Sequence, residues 1–403
     1  MRRRKQRILL IHYTAPSILG GVERIIAVHA RALRDAGDDV AIVAGRGAAR
    51  GLKLIRIPEI DSRHPAVLRD FAALARGEVT AQHARLVAVI EQKLRPHVAR
   101  ADHVVVHNVF TLHKNAALTE ALARLAARHP GVFVGWTHDL AWTDAQYAEQ
   151  LHDGAPWSLF RTALPGVRYV AVSEKARDEL VALTGIARAK VAVVPNGVDP
   201  ATLLGLSKPG VALAERLGLF AADPLLLLPV RMTRRKRIDI AIDAVARLRR
   251  TLPGATLVVT GGPGAHNPAN AAYARDLAAR AGPVGPGVHL LHDKNVRVTD
   301  RVLSDLYALA DLLVLPSANE GFGIPVLEAA WHRLPIVCSD IPALRAVAGD
   351  DASYVPADAD AATLARAIAD RLATDPVARL HRRGRALAWP RVLAEHVLPA
   401  IHE

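Results

Sequence analysis

The chain has 403 residues, 51% of them apolar and 23% charged, which excludes a disordered or fibrous protein and predicts two or three folded domains. Its single cysteine, Cys338, excludes a disulfide scaffold and a cysteine-rich zinc site and favours a reducing compartment. The formal net charge is +13, but the basic runs at 2–7 and 231–237 carry five charges each, so the remainder is too nearly neutral for a nucleic-acid-binding surface.

The amino-terminal basic run is followed by only four apolar residues, Ile8 to Ile11, which does not fit a signal peptide. No uncharged segment reaches the roughly 18 residues that a membrane span needs. The run fits either a solvated tail or a peripheral contact with anionic lipid at the inner face of the membrane. We therefore predict a cytoplasmic protein, with membrane contact and oligomeric state left open.

Short apolar segments alternate with helical patterns along the whole chain, which is typical of repeated βα units and parallel sheets. The first half contains predicted strands at 8–12, 40–44, 54–57, 103–107, 132–137, 169–173 and 191–195. The second half contains predicted strands at 225–230, 256–260, 289–291, 312–316, 336–339 and 352–355. Between the first two strands, the apolar residues of 22–35 recur at helical spacing, and Gly37 provides a left-handed stop.

The segment 199–223 interrupts this alternation and contains Lys208-Pro209-Gly210, so we place a domain boundary within it. The sequence predicts an α/β protein with two doubly wound domains, at 1–205 and 206–385, and a final helix within 386–403 that packs back on the first domain. Ligands of such sheets bind outside the carboxyl ends of the strands, so the candidate site lies in the loops that follow them.

Two of these loops carry groups that suit phosphate. Gly20 and Gly21 follow the first strand and directly precede a helix, where backbone N–H groups converge and favour an anion. Their spacing matches neither the G-x-G-x-x-G nor the P-loop pattern, which argues against dinucleotide and triphosphate motifs. Arg231 and Lys236 follow the strand at 225–230, and two such cations suit a diphosphate, with a solvated helix face as the structural alternative.

The loop after the strand at 312–316 carries Glu320, and the helix that follows carries Glu328 eight positions later. Carboxylates accept hydrogen bonds from sugar hydroxyls, so both acids can contact one elongated polyhydroxyl ligand. Gly321 and Gly323 leave backbone N–H groups accessible at the helix start, where a phosphate fits between the acids. The alternative, that Glu328 only stabilises its helix, leaves the nearby cations and glycines unexplained.

On these residues the sequence resembles the retaining glycosyltransferases of family 4, which have the GT-B fold of two Rossmann-like domains facing across a cleft. The family's E-x7-E element matches the segment from Glu320 to Glu328, and its R-x4-K element matches Arg231 and Lys236. Further matches over nearly the whole chain are Gly20-Gly21-Val22-Glu23, Thr137-His138-Asp139, Val172-Ser173-Glu174, Pro195-Asn196-Gly197-Val198-Asp199 and the final helix from Trp389.

The resemblance implies a role for each matching residue. Glu328 would hold the ribose hydroxyls and Glu320 the donor sugar. Arg231 and Lys236 would neutralise the leaving diphosphate, and His138 would lie beside the sugar, with an ordinary loop histidine as the alternative. The first domain would serve the acceptor and the second the nucleotide sugar. The backbone groups expected around the phosphates and the sugar are those of Gly20, Gly21, Gly321, Phe322, Gly323 and Ile324.

The sequence departs from the family pattern at Val230 and Arg237, where the family usually has glycine, so we expect a tighter or differently placed backbone around the diphosphate. Arg234 and Arg235 add positive charge that fits either a charged acceptor or a solvated surface. The glycine-rich segment 261–268 is longer than a turn requires and is a candidate to approach the nucleotide.

The implied function is retaining transfer of a hexose from a nucleotide-diphosphate sugar, of the GDP-mannose or UDP-glucose type, to a hydroxyl of a glycan, a lipid-linked or a small-molecule acceptor. No obligatory cofactor or metal is expected, since no Asp-x-Asp element with nearby ligands follows a strand and Arg231 and Lys236 can take its place. In the family's front-face mechanism, the leaving phosphate oxygen accepts the acceptor's proton and Glu320 positions the sugar.

Three other functions are compatible with two doubly wound domains. A nucleotide-sugar 2-epimerase of similar shape and a non-catalytic nucleotide-sugar-binding subunit both remain open. An NAD-dependent oxidoreductase is disfavoured, because no dinucleotide motif follows any predicted strand.

Overall fold

The structure is a computed structural model that describes residues 4–264, 269–294 and 296–402. Arg2 and Arg3 of the first basic run, and residues 265–268 of the glycine-rich segment, lie outside the described residues. The chain divides into two compact units: unit 1 is Met1–Asn196 with Pro390–Glu403, and unit 2 is Gly197–Trp389. The sequence placed this boundary at 205/206. None of the helices in the described ranges is long and apolar enough to cross a membrane.

Unit 1 is built on a seven-stranded parallel sheet with the strand order β3-β2-β1-β4-β5-β6-β7. The strands are β1 (Arg7–Ile11), β2 (Asp39–Ala44), β3 (Lys53–Arg56), β4 (His103–His107), β5 (Phe133–Thr137), β6 (Val167–Ala171) and β7 (Val191–Val193). The helices are α1 (Gly21–Asp35), α2 (Pro65–Leu74), α3 (Ala81–Val98), α4 (Ala116–Arg128) and α5 (Glu174–Thr184). Every residue of β4 and β5 is buried, as expected where helices cover both faces of a parallel sheet.

Unit 2 is built on a six-stranded parallel sheet with the order β10-β9-β8-β11-β12-β13. The strands are β8 (Leu225–Leu228), β9 (Thr256–Val259), β10 (Val288–Leu290), β11 (Leu312–Leu315), β12 (Ile336–Ser339) and β13 (Ser353–Val355). The helices are α6 (Pro200–Leu203), α7 (Lys208–Arg216), α8 (Ile238–Leu248), α9 (Ala269–Ala281), α10 (Asp300–Leu309), α11 (Ile324–Trp331), α12 (Pro342–Ala348), α13 (Ala361–Thr374) and α14 (Pro376–Ala386).

The final helix belongs to unit 1 except for its first residue, Trp389. It consists of α15 (Trp389–Val392), a π-helical stretch at Leu393–Val397 and α16 (Leu398–His402). Its end is fixed to the sheet of unit 1 at two points. His402 Nε2 lies 2.9 Å from Asp38 Oδ2, and the Arg168 guanidinium donates to the Ala400 carbonyl at 3.3 Å.

The predicted α/β class with two Rossmann-like parallel sheets is confirmed, and each of the thirteen strands of the described chain overlaps a predicted one. In both sheets the strand order reverses once, between β1 and β4 in unit 1 and between β8 and β11 in unit 2. Ligands of open α/β sheets bind at such switch points, outside the carboxyl ends of the strands. The loops after these four strands therefore define the candidate site of each unit.

Candidate active site

In unit 2 the loops after β8 and β11 lie side by side, because these strands are neighbours that pair Leu226 with Leu312. The first loop ends in a 3₁₀ turn at Arg234–Lys236, and the second runs from Ser317 to the start of α11. The Ala318 N–H donates to the Arg235 carbonyl at 2.8 Å, and the Arg235 guanidinium donates to the Asn319 carbonyl at the same distance. From the sequence, Arg235 fitted either a charged acceptor or a solvated surface. In the structure it joins the two loops.

This contact brings Lys236 and Glu320 together. Lys236 Nζ donates a hydrogen bond to Glu320 Oε1 and forms an ion pair with it, and only 10% and 8% of the two side chains are exposed. The Ser317 hydroxyl donates to the same oxygen at 2.7 Å, and the Arg235 guanidinium lies 3.6 Å from Oε2. Burial lowers the pKa of the Lys236 ammonium, although the Glu320 carboxylate opposes this effect. Lys236 and Glu320 thus form a largely buried ion pair.

Arg231 differs from Lys236 in its surroundings. Its side chain is exposed, and within the described residues its guanidinium makes no hydrogen bond and no ion pair. A guanidinium presents five donors in a planar fork that matches phosphate oxygens. Arg231 is therefore available to an anionic ligand, whereas Lys236 must first leave Glu320.

Glu328, the fifth residue of α11, is oriented by a neighbouring helix. The Tyr307 hydroxyl, on α10, donates to Glu328 Oε2 at 2.6 Å, and the Tyr307 ring stacks on His332 with ring centres 5.4 Å apart. Burial, reinforced by the carboxylate, raises the pKa of the Tyr307 phenol, so the hydroxyl keeps its proton and remains a donor. The sequence did not single out Tyr307.

The start of α11 offers unpaired backbone donors. Gly323, with φ of 102°, forms the N-cap, and a Cβ there would lie 2.9 Å from a methyl group of Leu344, so this position requires glycine. Within the described chain, no hydrogen bond uses the N–H groups of Gly321, Phe322, Gly323 and Ile324. These four donors lie in the stretch between Glu320 and Glu328, as a phosphate-binding helix start requires.

Arg237, where the family usually has glycine, takes the left-handed conformation that glycine favours, with φ of 49° and ψ of 44°. Its guanidinium donates to the carbonyls of Ala357 and Ala359. These two bonds offset the conformational cost of an arginine at positive φ. Val230 is buried, and its carbonyl packs so closely on Gly261 that a Cβ on Gly261 would lie 2.4 Å from it.

In unit 1 the loop after β1 ends at Gly20, the N-cap of α1. A Cβ on Gly20 would lie 2.0 Å from Glu23 Oε2, so the carboxylate can sit against the loop only beside a glycine. The Thr14 hydroxyl donates to Glu23 Oε1, and His12 Nε2 lies 3.8 Å from that oxygen. The N–H groups of Gly20 and Gly21 have no hydrogen-bond partner in the described part of the chain. This helix start can therefore accept an anion.

His138 follows β5 and is half-buried. Burial lowers the pKa of its imidazole to about 4, against the opposing charge of Asp139, so the ring is neutral near pH 7. His107, the last residue of β4, places Nδ1 3.2 Å from His138 Nε2. His107 is therefore the hydrogen-bond partner of the candidate catalytic histidine.

The described residues contain no group of three or more His, Cys, Asp or Glu side chains placed to hold a metal ion. Three further residues shape the site but were missed in the sequence: Ser317, Tyr307 and Asn108. Each contacts a predicted site residue. A polar residue within two positions of the end of a buried strand, as at 108 and 317, is the signal that could have identified two of them.

Two family models match the chain. One, "Glycosyltransferase Family 4", matches residues 19–202, and the other, "Glycosyl transferases group 1", matches residues 223–374. The first spans the glycine loop and His138, and the second spans Arg231, Lys236, Glu320 and Glu328. The chain belongs to glycosyltransferase family 4. Its two parallel Rossmann-like sheets are those of the GT-B fold.

Curated relatives of this glycosyltransferase include two D-inositol 3-phosphate glycosyltransferases. That of Kineococcus radiotolerans is 35% identical over 193 residues, which are 46% of this chain and 42% of the relative. That of Stackebrandtia nassauensis is 28% identical over 91% of this chain and 82% of the relative. The glycogen synthase of Mycobacterium tuberculosis is 29% identical over 94% and 89%. The chain thus matches less than half the length of the first relative and more than four-fifths of the other two.

Among solved structures, the sucrose-phosphate synthase of Thermosynechococcus elongatus is similar over 98% of both chains, with 18% identity and a TM-score of 0.40. At that score the likeness carries no functional information. The family assignment rests on the two family models.

Proposed function

We propose that this glycosyltransferase is a retaining, metal-independent hexosyltransferase that moves a hexose from a nucleotide-diphosphate sugar to a hydroxyl acceptor. The observation that carries the proposal is that the Lys236–Glu320 ion pair, the Glu328 carboxylate held by Tyr307 and the free N–H groups of the α11 start all follow β8 and β11, the strands at the switch point of unit 2. A diphosphate bound there meets Arg231, Lys236 and four backbone donors.

The chemistry needs charge to build on the leaving diphosphate while the anomeric carbon–oxygen bond breaks. Arg231, Lys236 and the amides of α11 stabilise that charge, and each preorganised donor in such a site can be worth about 3–4 kcal/mol. Because these cations supply the positive charge, the reaction needs no metal ion. Glu328, held by Tyr307, accepts from the ribose hydroxyls, and Glu320 accepts from the sugar.

Retention follows from transfer on one face of the sugar. The acceptor oxygen forms its bond to the anomeric carbon as the bond to phosphate breaks, and a leaving phosphate oxygen takes the acceptor's proton. Glu320 then positions the sugar and forms no covalent intermediate. His138 of unit 1 is assigned to the sugar by the family resemblance, and its low pKa makes it a neutral hydrogen-bond partner rather than a cation.

We propose GDP-mannose or UDP-glucose as donor, and a glycan, a lipid-linked or a small-molecule hydroxyl compound as acceptor. The names of the relatives, which include a glycogen synthase and the mannosylglucosylglycerate synthase of Petrotoga mobilis, support hexose transfer without fixing one donor. A cytoplasmic location with peripheral membrane contact through the first basic run is part of the same proposal.

The first test replaces the cations of the β8 loop. We expect Arg231→Ala and Lys236→Ala each to lower turnover by about 100-fold or more, the usual loss for one preorganised donor. Arg234→Ala is the matched control, because Arg234 belongs to the same basic run but lies 3.6 Å from Asp276 and over the Tyr273 ring. Near-normal turnover in either of the first two variants would refute the diphosphate assignment. A complete, magnesium-reversible loss in chelator would refute metal independence.

The second test separates the two acids by calorimetry with bare GDP and UDP. Glu328→Gln should weaken nucleoside diphosphate binding by about ten- to a hundredfold, since charge-assisted hydrogen bonds are worth about 1.5–3 kcal/mol. Glu320→Gln should not weaken that affinity, because no ion pair with Lys236 then has to be broken, and it should lower turnover. Equal weakening in both would contradict the proposed orientation, with Glu328 on the ribose and Glu320 on the sugar. Chromatography of the products also identifies an epimerase, which would release an isomerised nucleotide sugar without consuming acceptor.

A further inference from the structure

Asn108, the residue directly after β4, has a backbone with positive φ that its neighbours fix. It has φ of 65°, a conformation that non-glycine residues rarely adopt, and only 5% of it is exposed. Its N–H donates to the Trp136 carbonyl at 2.9 Å, and its carbonyl accepts from the Leu112 N–H at 3.0 Å. The position is therefore fixed by the end of β5 on one side and by the loop that follows β4 on the other, and non-glycine residues with positive φ concentrate at functional sites.

The three side-chain hydrogen bonds of Asn108 all go to the dipeptide His138-Asp139. Its Oδ1 accepts from the N–H groups of His138 at 3.1 Å and Asp139 at 2.9 Å. Its Nδ2 donates to Asp139 Oδ2 at 2.8 Å. One asparagine thus fixes both the backbone of the dipeptide and the carboxylate that follows the candidate catalytic histidine.

The ring of His138 is held from the same strand end. His107 is fully buried, its Nδ1 faces His138 Nε2, and its carbonyl accepts from His12 Nδ1–H at 2.9 Å. This leaves Nδ1 of His138 as the ring nitrogen without a hydrogen-bond partner in the described chain, on a half-exposed side chain. The Asp139 side chain is exposed, and within the described residues it forms no ion pair.

We propose that Asn108 is a positioning residue of the transfer reaction, which acts through His138 and Asp139 by holding the imidazole and the carboxylate in one fixed orientation toward the reacting sugar. The inference rests on the proposed function and goes beyond it, because neither the family resemblance nor the sequence pattern assigns a role to Asn108. Fixed orientation matters because a displacement of about 1 Å can cost about 100-fold in rate.

Two variants separate positioning from stability. Asn108→Gly keeps the positive φ at no steric cost and removes all three side-chain bonds. Asn108→Asp keeps the acceptor for both N–H groups but replaces the donor with a second carboxylate against Asp139. Asn115→Ala is the matched control: Asn115 is equally buried, donates to the Glu59 carbonyl at 3.0 Å and caps α4 through the Leu118 N–H, yet has no bond to the dipeptide.

The first readout needs no substrate. NMR titration, assigned with His138→Gln, should place the His138 pKa near 4 in the wild type, where the ring lies among His12, His29, His107 and Asp139. In Asn108→Gly the ring should become solvated and its pKa should rise toward the ordinary 6.5. Asn115→Ala should leave the titration unchanged. An unchanged titration in Asn108→Gly would overturn the proposal.

The second readout is kinetic and uses GDP-mannose and UDP-glucose. Asn108→Gly should lower kcat about ten- to a hundredfold, with nucleoside diphosphate affinity within twofold of wild type. Asn108→Asp should recover activity as the pH falls, because one of two adjacent carboxyls then protonates and donates. Equal losses of kcat in Asn108→Gly and Asn115→Ala would overturn the positioning role. A wild type that neither transfers nor hydrolyses any nucleotide sugar contradicts the proposed function instead, and the titration then decides alone whether Asn108 holds the pair.

Discussion

Removal of the Tyr307 hydroxyl tests whether the ribose-binding carboxylate is preorganised. Tyr307→Phe keeps the ring that stacks on His332 and removes the 2.6 Å bond to Glu328, together with a long 3.5 Å bond to the Pro325 carbonyl. Hydrogen bonds to charged groups contribute about 1.5–3 kcal/mol. Glu328 is half-buried, so water replaces part of the lost bond and the lower end of that range applies. Since 1.4 kcal/mol is a factor of ten, we expect nucleoside diphosphate affinity to fall about tenfold.

The assay is calorimetry with bare GDP and UDP, followed by kinetics on the preferred donor. Because the ribose is held equally in the ground state and the transition state, KM for the donor should rise and kcat should stay within about twofold. Tyr354→Phe is the matched control in the same unit, since the Tyr354 hydroxyl donates to the Gly349 carbonyl, also at 2.6 Å, and has no bond to a site residue.

An unchanged nucleoside diphosphate affinity in Tyr307→Phe would refute the reasoning, because Glu328 would then be oriented without the phenol. So would a fall in affinity that Tyr354→Phe reproduces, since that result would trace the loss to general destabilisation of unit 2. A fall in kcat with unchanged nucleoside diphosphate affinity would indicate that Glu328 contacts the reacting sugar and not the ribose.

Three further predictions concern pH and backbone strain. Burial alone would lower the pKa of His83, but its hydrogen bonds to Asp70 and Glu120 outweigh this and raise the pKa to about 9. Protonated His83 therefore stabilises the fold fully below pH 6.5, and this contribution is lost as the pH rises through 9. Denaturant midpoints should show this decline in the wild type and not in His83→Gln. Because the pKa of Lys236 is lowered, kcat/KM should fall on the alkaline side below the ordinary lysine value, and Lys236→Arg should shift that limb to higher pH. Arg237→Gly should be more stable to urea than Arg237→Ala by about 1 kcal/mol, because alanine keeps the positive φ without the compensating bonds.

The strands were predictable because each is a short apolar run in a sheet covered on both faces. The four leucines of β8 and the valine-rich β4 each lie between segments of helical pattern, and such short apolar runs are typical of strands buried on both faces. The ends were less certain, since 225–230 was predicted and β8 ends at Leu228. The two residues beyond it lie outside the strand, and apolar character alone does not distinguish a strand from a buried loop.

The chemistry of the site was visible in the sequence, but its contacts were not. Lys236 and Glu320 are 84 residues apart and meet only because β8 and β11 are neighbours at the switch point. Asn108 contacts a dipeptide 30 residues later and depends on a positive φ that no pattern specifies. Tyr307 reaches Glu328 between two helices. Such contacts depend on strand order, which local sequence does not encode.

The ion pair of Lys236 and Glu320 has a consequence for the proposed reaction. A buried ammonium without a partner is costly, so in the free protein Glu320 supplies the anion that Lys236 needs. When the donor arrives, its diphosphate can take over that role, which frees Glu320 to accept from sugar hydroxyls. The exchange couples neutralisation of the leaving group to capture of the sugar in one step, and departure of the nucleoside diphosphate restores the pair. A bare nucleoside diphosphate must break the same ion pair, but it has no sugar hydroxyls that could donate to Glu320 in exchange. The donor should therefore bind more tightly than its product.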